Sequence, residues 1–202
     1  MKKIIRCDWA NKSELEQKYH DEEWGVPCFD DQKLFEYLVL ESLQAGLSWK
    51  LIIRKREVIR KCFCDFDVEK VASFDADDIE RIMHTDDMIK SLRKVNAMIS
   101  NAKAFIDVQK EFGNFNKYLW SYSNDKTICY KGHEQGINIS KNNLSTLISN
   151  DLKKRGFKYV GPVIIYSYLQ ACGMINDHDK DCICYQKIKN HYPCITIDEE
   201  DI

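Results

Sequence analysis

The stretch DLKKRGFKYVGPVIIYSYLQACG, residues 151–173, decides the fold of this chain. Its first part predicts the end of an amphipathic helix at Gly156, because glycine commonly ends helices. Its second part predicts a helix that opens at Gly161, carries Pro162 in its first turn and stops at Gly173. The run VIIYSY could also form a buried strand, but the flanking glycines and the proline favour a helix. The stretch therefore predicts two helices joined by a short turn.

The turn of this hairpin is rich in basic residues. Glycines followed by a helix N-terminus can present backbone N–H groups to an anion, and DNA phosphate is the anion that neighbouring cations favour. An ordinary pair of antiparallel helices with a solvated charged face remains the alternative. The candidate DNA contacts here are Lys153, Lys154, Arg155, Gly156, Lys158 and Gly161.

The rest of the chain also shows helical spacing of its apolar residues. This spacing predicts helices from Asp31 to Leu43 and from about Asp87 to Phe112. Asp67 and Asp75 each precede a short apolar-periodic run and are predicted N-caps. The polar segment 124–143 is predicted to be a long loop. The expected fold class is all-α.

Composition places the chain among cytosolic globular proteins. It has 202 residues, of which 44% are hydrophobic and 31% charged. No run of apolar residues is long enough to cross a membrane, and the start MKKIIRCDW lacks the apolar core of a signal peptide. The nine cysteines are therefore expected to be reduced, as small buried residues or metal ligands. A net charge of −2 excludes a uniformly basic nucleic-acid binder, although local basic patches remain compatible with DNA binding.

Two pairs of residues near the chain ends have the chemistry of zinc ligands. His178 and Cys182 are four residues apart, which places both on one face of a helix or tight turn. Cys7 and His20 offer a second pair, and two cysteines with two histidines complete a structural zinc site. Spacing alone leaves other ligands open, namely Cys184, His191 and Cys194.

Glu41 occupies a position on its helix where an apolar residue is expected. It falls in register with Leu34, Tyr37 and Leu38 on the apolar stripe. A buried carboxylate is costly unless it is paired or has a function. Several aromatic residues occur in the sequence before and after this helix. A carboxylate that lies among aromatic rings could bind a flat cationic ligand.

Taken together, five motifs resemble the 3-methyladenine DNA glycosylase I family of the helix-hairpin-helix superfamily. They follow the family's order and cover nearly the whole chain from Arg6 to about Cys182. The motifs are RCDW (6–9), YHDEEWGVP (19–27), LESLQAGLSW (40–49), LKKRGFKYVGPVIIYSYLQACG (152–173) and NDHDKDC (176–182).

This resemblance implies a complete set of expectations. The fold would be a helix-hairpin-helix bundle in one glycosylase domain, residues 1–202. Its helical core would span about 28–173, and its termini, about 1–27 and 174–202, would be joined by one structural Zn2+. The substrate would be double-stranded DNA with alkylated bases, the product free 3-methyladenine, and the enzyme a monomer without lyase activity. The implied site residues are Cys7, His20, His178 and Cys182 for zinc, Tyr19, Glu41, Trp49 and Trp9 for the base, and Gly46 and Leu47 for the DNA gap.

The sequence departs from the family pattern at a few positions. Ser42 and Leu43 replace more typical residues beside the expected pocket, and Glu16 stands where an aromatic can occur. Asp177 receives no role, and the tail from Cys184 onward lies outside the resemblance. Two other functions remain open, a zinc-containing DNA-binding protein without catalysis and a hydrolase of free nucleosides.

Overall fold

The computed structural model describes residues 4–198, and helices dominate this part of the chain. Short 3-10 turns at Asp8–Lys12 and Cys64–Phe66 accompany them. In chain order, the α-helices are α1 (Glu14–Glu22), α2 (Asp31–Gln44), α3 (Trp49–Cys62), α4 (Val68–Ala72), α5 (Ala76–His84), α6 (Leu92–Phe112), α7 (Phe115–Ser121), α8 (Lys131–Glu134), α9 (Asn143–Lys154), α10 (Pro162–Ala171) and α11 (Ile183–His191).

The fold is mostly helical, but the expectation of an all-α fold is wrong in two short segments, which form a two-stranded sheet. The predicted loop 124–143 contains a buried strand, β1 (Thr127–Tyr130), followed directly by α8. β1 pairs in parallel with β2 (Cys194–Ile197), so that Thr127 lies opposite Cys194. Parallel pairing joins segments that are distant in the sequence. The four buried residues of β1 lie in a polar stretch, so the local sequence pattern did not predict a strand there.

The local helix signals were mostly correct. Asp67 and Asp75 cap α4 and α5 by accepting hydrogen bonds from backbone N–H groups, as predicted. The helix expected from about Asp87 begins five residues later, at Leu92. Asp87 has a φ of +60° and Ser91 is extended, so neither backbone is helical.

Helix α2 runs through the centre of the molecule. Each residue from 34 to 43 is buried, as in a helix that is surrounded on all sides. α6 packs beside it, where Phe105 contacts Phe35 with ring centroids 5.3 Å apart and stacks on Phe115 at 3.9 Å. Helices α9 and α10 form the predicted hairpin, and α10 also packs on α2. The hairpin is thereby held against the core.

The two ends of the chain meet on one side of this core. The backbone of Ile183 donates a hydrogen bond to Ile5, and that of Cys28 donates to Cys172. Gly173 permits the close approach, since a Cβ atom there would lie 2.3 Å from the backbone carbon of Val26. The outermost residues of the predicted domain, 1–3 and 199–202 with most of the acidic tail, lie outside the described residues. Between residues 4 and 198, no helix is long and apolar enough to cross a membrane.

Candidate active site

A cavity of about 720 Å³ opens beside the junction of the two chain ends. Tyr19 reaches it from α1, Glu41 from the last turns of α2, Trp49 from the start of α3 and Trp9 from the turn before α1. The four residues that the sequence nominated for base binding therefore line a single cavity.

Glu41 is buried in this cavity without a compensating charge. Its side chain is 4% exposed, and within residues 4–198 its Oε2 has no hydrogen-bond partner. Burial raises its pKa to about 8. The other buried carboxylate of α2 differs, because Glu36 accepts hydrogen bonds from Arg56 Nε at 2.7 Å and Lys33 Nζ at 2.8 Å. Glu36 thus belongs to a structural ion-pair network, whereas the carboxyl group of Glu41 is available to a ligand.

Aromatic rings form the walls of the cavity. Tyr19 and Trp49 lie with ring centroids 5.0 Å apart at 50°, and Trp9 lies 6.4 Å from Tyr19. Burial, followed by the nearby Glu41, raises the pKa of Tyr19 well above its ordinary value, so its hydroxyl stays protonated. That hydroxyl is also buried without a hydrogen-bond partner in the described chain. Buried polar groups are nearly always paired in folded proteins, so two unpaired groups in one aromatic cavity indicate a binding site for a polar ligand.

Other polar residues at the cavity received no role in the sequence analysis. His133 lies in the segment predicted as a loop, and its Nδ1 is 3.8 Å from Asp177 Oδ1. Asp177 Oδ2 accepts hydrogen bonds from Tyr166 at 2.5 Å and Gln170 at 2.8 Å. No local pattern predicts that these residues come together, because α8, α10 and the C-terminal segment meet only in the folded chain.

The departures from the family pattern fall in different places. Glu16 lines the cavity at 4% exposure, and the hydroxyl of Ser13 donates to its Oε2 at 2.7 Å. Ser42 and Leu43 are buried but do not line the cavity within the described chain. Ser42 instead donates to the backbone oxygen of Tyr159 in the hairpin. Of the three, only Glu16 can contact a ligand in the cavity.

A buried cluster able to hold a metal ion lies next to the cavity. Cys7, His20, His178 and Cys182 place their ligand atoms within 4.8 Å of one another. His178 Nδ1 is 3.2 Å from His20 Nε2 and 3.7 Å from both sulfurs, and Cys182 Sγ is 3.4 Å from His20 Nε2. The predicted ligands are therefore brought together from both ends of the chain.

These distances fit zinc. Ordinary zinc bonds set tetrahedral edges of about 3.3 Å between nitrogens and about 3.6 Å between nitrogen and sulfur. The opposite ring nitrogens are occupied, as His20 Nδ1 lies 2.8 Å from Asp21 Oδ1 and His178 Nε2 lies 2.9 Å from the Trp24 oxygen. Both lone pairs then face the centre of the cluster, where a cation would remove their repulsion.

The alternative ligands are placed less well. Cys184 Sγ is 4.0 Å from His20 Nδ1, the nitrogen already bonded to Asp21. His191 is exposed and bonds the backbone oxygen of Lys187. Cys194 belongs to β2 and contacts the oxygen of Ile188. Among the candidates that spacing had left open, Cys7, His20, His178 and Cys182 are therefore the four whose geometry best suits a metal ion.

The hairpin turn between α9 and α10 is fixed to α6. Buried Asn101 accepts a hydrogen bond from Lys158 N at 2.7 Å and donates one to Lys158 O at 3.0 Å. Lys153, Lys154 and Lys158 are exposed. Arg155 is instead engaged by Glu111 at 2.6 Å and Asp151 at 2.8 Å. Three of the four predicted hairpin cations therefore face solvent, while Arg155 links the hairpin to its neighbours.

Two further surfaces adjoin the hairpin and the cavity. Gly46 and Leu47 form an open loop between α2 and α3, where Gly46 has a φ of +77° and Leu47 is 36% exposed. A groove of about 520 Å³ lies between α6 and the hairpin turn. It is lined by Arg93, Asn96, Ala97, Ser100, Lys158 and Tyr159.

Comparison with known proteins agrees with this geometry. A family profile described as methyladenine glycosylase matches residues 9–185. The chain is 41% identical over 180 residues to DNA-3-methyladenine glycosylase 1 of Escherichia coli (strain K12), covering 89% of this chain and 96% of that protein. It is 40% identical over 179 residues to DNA-3-methyladenine glycosylase of Haemophilus influenzae, covering 89% and 97%.

Solved structures give the same result. A crystal structure of 3-methyladenine DNA glycosylase I matches with a TM-score of 0.83 at 40% identity, covering 90% of this chain and 100% of that one. A Staphylococcus aureus 3-methyladenine DNA glycosylase I, solved to explain its recognition of 3-methyladenine, matches with a TM-score of 0.83 at 38% identity, covering 88% and 94%.

Proposed function

The chain belongs to the methyladenine glycosylase family and is a DNA glycosylase, and we propose that it removes 3-methyladenine from alkylated double-stranded DNA. The observation that carries the proposal is Glu41, a buried carboxylate with an unpaired oxygen in an aromatic cavity. Methylation at N3 makes the adenine of a nucleotide cationic. A flat cation satisfies the carboxylate by charge and the rings by stacking.

The reaction requires the damaged base to leave the helix. Extrusion of a nucleotide costs a few kcal/mol of stacking and pairing, and a damaged base costs least. Tyr19 and Trp49 provide faces on which the extruded base can stack. Ionised Glu41 then favours the methylated base over neutral adenine, because only the former brings a positive charge to this cavity.

The methylated base is a good leaving group. The bond between the base nitrogen and the sugar C1′ breaks with both electrons moving to the base, which leaves as neutral 3-methyladenine. The sugar acquires oxocarbenium character, water attacks C1′, and the proton of that water passes to solvent. Glu41 holds the cationic base before cleavage. Pro162 and Val163 stand directly after Gly161, so no lysine is available there for a Schiff base and strand cleavage.

Zinc is proposed to have a structural role. Cys7, His20, His178 and Cys182 would together supply the four ligands of a structural zinc site, which would leave no position for water or substrate. The ion would join the two ends of the chain beside the cavity. Trp9 and Trp24 pack at this junction with ring centroids 5.0 Å apart, so the ion would also stabilise one wall of the cavity.

DNA is proposed to lie across the hairpin, the groove beside α6 and the Gly46–Leu47 loop. Replacement of Lys153, Lys154 and Lys158 with alanine should weaken binding to every sequence. It should also reduce the slope of log K against log salt by about 0.9 for each phosphate that the variant no longer neutralises. Arg155→Ala is the matched contrast, because this residue is paired within the protein and its replacement should mainly lower the melting temperature. An unchanged salt slope in the triple variant would remove the hairpin from the interface.

Base release from methylated DNA tests the function directly. Duplex DNA methylated at adenine N3 is incubated with the protein, and free base and strand breaks are measured separately. We expect release of 3-methyladenine without strand cleavage, and no release from unmodified DNA. DNA binding without base release would favour a binding protein, whereas release only from free nucleosides would favour a nucleoside hydrolase.

A further inference from the structure

Lys94 is a buried cation that the site described above does not use. It lies in the first turn of α6, and its side chain reaches the end of α2 rather than solvent. Lys94 is only 9% exposed, and its Nζ donates to the backbone oxygens of Leu43 at 2.6 Å and Ala45 at 2.7 Å. The ammonium therefore binds the C-terminal carbonyls of the helix that carries Glu41.

This placement is costly for a lysine. No acidic side chain in the described chain forms an ion pair with it, and burial lowers the pKa of Lys94. A buried charge without an opposite charge is tolerated mainly where it has a function. The negative end of the α2 dipole and two unsatisfied carbonyls compensate part of that cost. A methionine would fill similar space without the penalty.

The contact controls the start of the Gly46–Leu47 loop. Ala45, whose oxygen binds Lys94, immediately precedes the loop, and Leu47 N bonds Gln44 O at 2.6 Å to close its turn. Beyond this point the loop is open, since a Cβ atom on Gly46 would meet nothing within 4 Å. The loop then leads directly into Trp49 at the start of α3.

We propose that Lys94 is a positioning residue that fixes the Gly46–Leu47 loop at the angle needed to enter the DNA duplex. The inference rests on the proposed function, because the loop needs a fixed angle only if it penetrates DNA. Lys94 touches neither the base nor the cavity. It acts on extrusion of the nucleotide and leaves binding of a free base to Tyr19, Glu41 and Trp49.

The test compares free-base binding with excision from duplex DNA. Lys94→Met should bind free 3-methyladenine within about twofold of wild type by calorimetry. Its single-turnover excision from methylated duplex should fall about tenfold to a hundredfold, the cost of a small misplacement of a site element. Lys94→Arg should recover part of the rate, because a guanidinium can also donate to two carbonyls. Lys103→Met, an exposed lysine replaced on the same helix, is the matched control and should behave as wild type.

A double-variant cycle shows whether Lys94 acts through the loop. Leu47→Ala should also slow excision, and adding Lys94→Met to it should cost little more, because one loop carries both effects. Additive losses would overturn the proposal, as would unchanged excision by Lys94→Met or an equal loss of free-base binding. If Lys94→Met does not fold, Lys94→Gln serves in the same cycle. Absence of excision by the wild-type protein would refute the proposed function instead.

Discussion

Replacement of Glu41 by glutamine separates the charge of this residue from its shape. Burial raises the pKa of the Glu41 carboxyl group from 4.5 to about 8. At ~1.36 kcal/mol per pKa unit, ionising this group in the free protein costs on the order of 5 kcal/mol more than in water. At pH 7 only about a tenth of the free enzyme then carries the charge. The active form is therefore scarce until the pH approaches 8.

The pH dependence of excision follows from this value. Since kcat/KM reports the free enzyme, it should rise about tenfold per pH unit below 8 and level off above that pH. In the complex the cationic base lowers the pKa of Glu41, so the midpoint for kcat should lie at a lower pH. The Glu41→Gln enzyme should be slower and should show no rise between pH 6 and 9. The assay is base release from methylated duplex, with spontaneous release subtracted at each pH.

Stability provides an independent check with the opposite sign. The folded protein keeps the Glu41 proton between pH 4.5 and about 8, where the unfolded chain has already released it. Stability from this group is therefore fully present below pH 4.5 and is lost as the pH rises to about 8. Glu41→Gln removes this loss, so the variant should melt progressively higher than wild type from pH 5 to pH 8. A wild-type kcat/KM that does not vary with pH, or one that the variant reproduces, would refute the reasoning.

Two further predictions concern metal and packing. Cys7→Ser and Cys182→Ser should each lose the single equivalent of zinc, measured by elemental analysis, and should melt at lower temperature; full metal content in both would reject the ligand set. Gly173→Ala should destabilise the fold by at least about 2 kcal/mol in denaturant titration, because the new methyl group would collide with the backbone of Val26. Gly156→Ala, also at positive φ but with open space around it, should cost only about 1–2 kcal/mol, and equal losses at the two positions would contradict the packing argument.

Local sequence determined the parts of this protein that depend on neighbouring residues. The hairpin was readable because Gly156 and Gly161 with Pro162 mark helix ends, and helix ends are set by backbone conformation within a few residues. Asp67 and Asp75 were readable as caps for the same reason. The order of the motifs suggested the family, and the match to the family profile and the similarity to known relatives confirmed it. The roles of the individual site residues remain predictions.

Tertiary structure alone decided the features that join distant segments. β1 could not be recognised because its partner β2 lies more than sixty residues later in the chain. The same holds for the candidate metal ligands, whose proximity depends on how the two chain ends meet. Charge was the least predictable property. Glu36, Glu41, Lys94 and Arg155 all lie within helices or at a helix end, yet their surroundings differ, and the energy of a charged group depends on what surrounds it in the folded molecule.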